Sequence, residues 1–136
     1  MILPQFYTDD IIKRAILEDI NYVDVASDYL ISEEQRDEAY FVSKADGVLC
    51  GIDVAMRVFE LLDDSFTAKV YMHDGDKVKK GDLIAEFSGK TTLLLKGERT
   101  ALNLLQHMSG IATATAKAVK LCEGTKASIA DTRKTL

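Results

Sequence analysis

The 136-residue chain carries 17 Lys/Arg against 22 Asp/Glu, a net charge of −5, with 47% hydrophobic and 29% charged residues. These proportions exclude a disordered, collagenous or coiled-coil chain. The acidic balance argues against a general binder of nucleic acid or of a membrane surface, either of which needs a basic excess.

The N-terminus has neither a basic segment nor a long apolar run, so no secretory signal is expected. No stretch reaches the roughly 18 apolar residues of a membrane span. Cys50 and Cys122 lie far apart, and neither has a second Cys or His at ligand spacing; His73 and His107 are equally solitary. The cysteines read as reduced structural thiols in a cytoplasmic protein, with no metal site among the residues present.

Thr8 is placed to cap a first helix, with Ile11, Ile12, Ala15, Ile16 and Ile20 at helical spacing. Residues 22–31 read as a loop. Ser32-x-x-Gln35 imitates a capping box, but Ala39-Tyr40-Phe41-Val42 favours a strand. Asp46-Gly47 predicts a tight turn, with Val48-Leu49-Cys50 as the returning strand of a hairpin. The clearest helix follows, with Ile52, Ala55, Met56, Phe59 and Leu62 on one face and Asp63-Asp64-Ser65 at its end.

From Phe66 to Met72 the pattern alternates, with Ala68, Val70 and Met72 on one face of a half-buried strand. Turns are expected at Asp74-Gly75-Asp76 and at Gly81-Asp82, then a strand over 83–87 ended by Ser88-Gly89. From Thr91 the period becomes helical, with Leu94, Gly97, Ala101, Leu104 and Met108 as one stripe. Ser109-Gly110 marks a break or a close-packing point, and an alanine-rich helix continues over 112–122 until Gly124. A short strand is expected over 126–130, and Asp131-Thr132-Arg133-Lys134-Thr135 is a polar loop.

Three features bear on chemistry. On the apolar helix over 91–108, Arg99, Asn103 and Gln106 share one face. Such a stripe is either a solvated face or the lining of a polar site. The terminal loop sets Arg133 and Lys134 between two hydroxyls directly after a strand, where a β/α architecture builds its sites. Arg offers a fork to a carboxylate and Lys a point charge to a phosphate, although five polar residues in such a place are more often a solvated tail. The third is Gly75-Asp76-x-Val78-x-x-Gly81-Asp82-x-Ile84. It is similar to the hairpin of biotinyl and lipoyl carrier domains, but Lys90 lacks the usual context of a modified lysine, so a structural hairpin is the reading adopted.

Taken together, the run from Gly97-Glu98-Arg99-Thr100-Ala101-Leu102-Asn103 to Gln106, Ser109-Gly110-Ile111-Ala112-Thr113-Ala114-Thr115, and Thr132-Arg133-Lys134-Thr135 resemble the quinolinate phosphoribosyltransferase family. The Asp46-Gly47 to Phe59 segment and the turns from Gly75 to Gly89 match it too, so the resemblance covers the chain from about Asp9 onward. It implies an α/β fold: an α+β sandwich with a linking helix over 1–107, then over 108–136 the first helix and strand of an incomplete β/α barrel. On that reading the chain is a truncated portion, expected to be inactive alone and to associate through exposed Leu102, Leu105, Met108 and Ile111 or through its unpaired terminal strand.

The implied reaction joins quinolinate to phosphoribosyl pyrophosphate, releases pyrophosphate and carbon dioxide, and yields nicotinate mononucleotide. The implied assembly is a homodimer with shared sites. Arg99 would enter the partner subunit's site and bind quinolinate. Thr132 and Arg133 would bind it from their own barrel, and Lys134, the catalytic candidate, would lie near the ribose and phosphates. Mg2+ would take its ligands from barrel residues beyond this sequence. Rival readings are a related family of molybdenum-transport operons, nicotinate phosphoribosyltransferase, and a non-enzymatic biotinyl-type carrier.

Overall fold

A computed structural model describes residues 4–20, 24–132 and 134. The elements in chain order are α1 (Gln5–Asp19), α2 (Val25–Leu30), β1 (Arg36–Val42), β2 (Gly47–Val48), α3 (Ile52–Leu62), β3 (Thr67–Val70), β4 (Lys77–Val78), β5 (Leu83–Lys90) and α4 (Thr91–Cys122). One antiparallel sheet has the order β1-β5-β3, and a second pairs β2 with β4. The α/β class expected from the sequence is the one found.

The core lies between the larger sheet and helices α1, α3 and α4. Phe59 of α3 is at its centre, 1% exposed. Its ring lies 5.0 Å from Phe87, 5.3 Å from Phe66 and 6.2 Å from Phe41. Ile52, Ala55, Met56 and Val58 bury the rest of the same helix face. Helix α3 is the element whose periodicity is strongest, and it folds over the span that periodicity predicts.

Its N-terminus is closed from outside the helix. Asp74 Oδ1 accepts the backbone N–H groups of Gly51 (2.8 Å) and Ile52 (3.0 Å), satisfying orphan donors and placing a negative charge at the positive end of the dipole. Gly51 has φ +95°, and a Cβ there would come within 2.7 Å of Met108 Sδ. Only glycine meets both demands.

Several local expectations are corrected. α1 begins at Gln5, behind Pro4, and Thr8 lies inside it, its hydroxyl donating to the Gln5 carbonyl at 2.9 Å. Proline supplies the boundary assigned to Thr8. The segment read as loop contains α2, capped by Asp24, which accepts the Ser27 hydroxyl at 2.7 Å. Asp46-Gly47 does not close a hairpin. β1 takes β5 as partner, from Arg36↔Lys90 to Val42↔Leu83, while β2 turns away to pair Gly47 with Val78 and Val48 with Lys77. Asp46 instead accepts the backbone N–H of Lys80 at 2.9 Å.

The carrier-like segment is likewise not a hairpin. Its turn, with Gly81 at φ +97°, passes the chain from the small sheet to the large one. Lys90 ends β5 at the junction with α4 rather than at a hairpin tip. β5 runs through Ser88-Gly89 to Lys90, and Ala68 of β3 is exposed.

α4 is unbroken through Ser109-Gly110 and across 107/108. It ends at Cys122, and Gly124 takes φ +79°. Leu105 is 5% exposed and belongs to the core, Leu102 and Met108 are half-buried, and of that group Ile111 alone is exposed. Residues 126–130 form no strand and lie exposed. A single extended segment with no neighbour to pair with has nothing to hold it as a strand.

Candidate functional site

Arg99, Asn103 and Gln106 lie on α4, and the position of that helix is fixed by contacts from outside it. Its start has no side-chain cap of its own. The Lys90 N–H donates to Asp63 Oδ2 at 2.8 Å, the Thr91 N–H to the Gln35 carbonyl at 2.9 Å, and the Thr91 hydroxyl to Asp37 Oδ2 at 2.6 Å. The Thr91 hydroxyl and the Gln35 amide hold the Asp37 carboxyl below its ordinary range. The first turn of α4 is thus tied to the end of α3 and the start of β1.

One turn on, Gly97 lets α4 lie directly on α3, since a Cβ there would approach Phe59 Cδ1 to 2.8 Å. Farther along, two hydroxyls one turn apart meet β2 and the residues that follow it. Ser109 Oγ accepts the Cys50 N–H (3.0 Å) and donates to the Cys50 carbonyl (3.1 Å). Thr113 Oγ1 accepts the Val48 N–H at 2.9 Å. The rise of about 6 Å over four helical residues nearly matches two strand residues, so the helix stands in for a neighbouring strand. Burial, and secondarily the Asp74 carboxylate, pushes the Cys50 thiol pKa up, which fits an inert structural thiol.

On this fixed helix the predicted stripe is exposed at Arg99, Asn103 and Gln106. Gln106 borders a groove of about 970 Å³ between α4 and the β1–β2 connection, lined by Phe41, Leu49, Val78 and Leu102 among others. Arg99 does not line that groove. Its Nε lies 2.6 Å from Asp19 Oδ1 at the end of α1. One turn earlier, Lys96 pairs with Asp28 of α2. Asp19 carries no periodic or motif signal, so nothing in the sequence pointed to it.

Thr132 and Lys134 are exposed, and the Lys134 N–H approaches Thr132 Oγ1 at 3.4 Å. Arg133 lies outside the described residues. No hydrogen bond or ion pair joins Arg99 to Thr132 or Lys134 among the described residues, and roughly 35 Å of helix separates Arg99 from Cys122. Among the described residues, the two candidate groups are not joined within one chain.

Among the described residues no three His, Cys, Asp or Glu side chains gather into a set able to hold a metal ion. The residues at hand do not fit the magnesium that the family resemblance implies. No described helix is long and apolar enough to cross a membrane.

Residues 24–109 match the family model for the quinolinate phosphoribosyl transferase N-terminal domain. The chain is 40% identical over 125 residues to a probable nicotinate-nucleotide pyrophosphorylase (carboxylating) of Bacillus subtilis, covering 92% of this chain and 43% of the relative. It is 38% identical to the enzyme of that name from Mycobacterium leprae, covering 93% of this chain and 46% of the relative. The fold superimposes on NadC from Streptococcus pyogenes with a TM-score of 0.94 at 37% identity, over 100% of this chain and 48% of that one. The chain thus spans less than half the length of these relatives.

Proposed function

This chain belongs to the quinolinate phosphoribosyltransferase family, and from that premise we propose that it forms part of an enzyme making nicotinate mononucleotide from quinolinate and phosphoribosyl pyrophosphate. The ring nitrogen of quinolinate takes the ribose carbon as pyrophosphate leaves. The adjacent carboxylate then departs as carbon dioxide, and a proton takes up the electron pair left on the ring carbon. The reaction places two carboxylates and several phosphate oxygens in one site, so cations with directed donors are what the protein must supply.

In this reading the sandwich and linking helix occupy 1–107, and 108–136 leads into the barrel. Arg99 binds quinolinate in the site of a partner subunit in a cytoplasmic homodimer. Thr132 and Arg133 bind the substrate carboxylates from their own subunit, and Lys134 faces the ribose and phosphates. The observation that carries the reading is the placement of Arg99, solvent-exposed on a helix fixed at its start and again at Ser109 and Thr113. The lack of any bond between Arg99 and Thr132 or Lys134 within one chain, among the described residues, also favours a site shared between two.

The test uses the protein that carries this sequence, with nicotinate mononucleotide and carbon dioxide as readouts. Arg99→Lys keeps the charge but loses the fork. It is expected to raise KM for quinolinate roughly 10-fold or more, the effect of one lost charged hydrogen bond, with little change in Tm. An unaltered KM beside a shifted Tm would return Arg99 to a solvated stripe. Turnover of nicotinate in place of quinolinate would favour the nicotinate phosphoribosyltransferase reading.

A further inference from the structure

We infer that Asp19 is a positioning residue that orients Arg99 for a dicarboxylate before the ligand arrives. The inference rests on the reading of Arg99 as a quinolinate ligand. The Asp19 side chain is 21% exposed while that of Arg99 is 72% exposed, with Oδ1 and Nε 2.6 Å apart. Asp19 closes α1, a helix anchored in the core by Ile12, so its carboxylate is the fixed partner and the guanidinium the held one. No other acidic side chain pairs with Arg99 among the described residues.

An ion pair this exposed on one side contributes little to stability. Its larger effect is on the arginine's freedom, because a long unrestrained side chain must be ordered when it binds. Contact at the Nε edge leaves the two terminal nitrogens, which form the fork a carboxylate accepts. The neighbouring cation is removed from competition: Lys96, on the same face one turn earlier, is 18% exposed and paired with Asp28. Arg99 is therefore the cation of this turn whose donors remain available to an outside anion.

The charge of Asp19 and its positioning role predict opposite outcomes, which makes the inference testable. As a mere countercharge it would repel a dianionic substrate, and Asp19→Asn would lower KM for quinolinate. As a positioning residue its loss frees the guanidinium, and KM should rise roughly 2- to 10-fold, the effect of ordering one long side chain on binding. KM for phosphoribosyl pyrophosphate and kcat should stay unchanged. Asp19→Glu, which keeps the charge but displaces it by one methylene, should also raise KM. The rise should vanish when Asp19→Asn is combined with Arg99→Lys, since there is then no fork to orient.

A KM for quinolinate that stays level or falls in Asp19→Asn overturns the inference, as does an equal rise in the Arg99→Lys background. If Arg99→Lys alone leaves KM unaltered, the assignment of Arg99 as a ligand fails, and this inference fails with it. If Arg99→Lys raises KM while Asp19→Asn does not, only the positioning role is lost.

Discussion

Asp63, 5% exposed at the end of α3, accepts three hydrogen bonds. They come from the Ser65 N–H (2.9 Å), the Ser65 hydroxyl (2.6 Å) and the Lys90 N–H (2.8 Å). Burial raises its pKa, but those donors outweigh burial and the carboxyl is held below its ordinary value. A depressed carboxylate contributes stability that is complete above its unfolded pKa of about 3.9 and is lost as pH falls through the folded value. Asp63→Asn should therefore lower stability by about 2 kcal/mol near neutrality, and thermal melts should show a shallower loss below about pH 4 than in the parent. Gly97 gives a second test at this scale. Alanine favours a helix by about 1 kcal/mol, yet its methyl would meet buried Phe59 at 2.8 Å and Leu62 at 3.1 Å. Overpacking of about 1–3 kcal/mol should win, so Gly97→Ala is expected to lower Tm.

At the scale of elements, the contact that orients the second half of α4 is the pair of hydroxyls on β2. Ser109→Ala with Thr113→Val preserves shape but leaves the N–H groups of Cys50 and Val48 without those acceptors. Each part-buried orphan costs about 1–3 kcal/mol. Amide hydrogen exchange should quicken at Val48 and Cys50 in the double variant, while the Tyr40 and Phe41 amides of β1 keep their protection. Uniform loss of protection would mean that the clasp supports the whole fold rather than the position of α4. The Ser-Gly-Ile-Ala-Thr run thus has a local structural account in Ser109 and Thr113, independent of any ligand.

For the whole molecule, several large apolar side chains are exposed on the N-terminal helices. Phe6 (77%) and Leu17 (69%) lie on one side of α1, and Tyr29 (78%) and Leu30 (83%) lie on α2. Exposed apolar side chains of this size favour association. Light scattering of the chain should show a mass that rises above 15.0 kDa with concentration. Phe6→Glu with Leu17→Lys should return it towards the monomer without lowering Tm, because neither side chain is in the core. A monomer at high micromolar concentration would refute this. The surface expected to associate from sequence, around Leu102, Leu105 and Met108, is largely taken up by α4's own packing.

Period and punctuation in the sequence were enough to determine α3, the strand character of β1, β3 and β5, the turns at Gly75 and Gly81, and the helical run from Thr91. Each depends on neighbours within a turn or a pleat, and such interactions are written locally. The family was legible for a related reason: the Arg99 and Arg133-Lys134 motifs are contiguous short strings. Tertiary structure alone decided the partners. β1 joins β5 rather than β2 because sheet pairing is set by which faces bury the phenylalanine cluster, not by the nearest turn. α2 is pinned to α4 by the pairing of Asp28 with Lys96, across 68 residues of sequence. α4 stays whole through Ser109-Gly110 because the serine bonds to Cys50 across 59 residues of sequence. The approach of Asp19 to Arg99 was equally hidden, since an ion pair between the end of one helix and the face of another leaves no spacing to read. It arises only once α1 and α4 are packed against the common core.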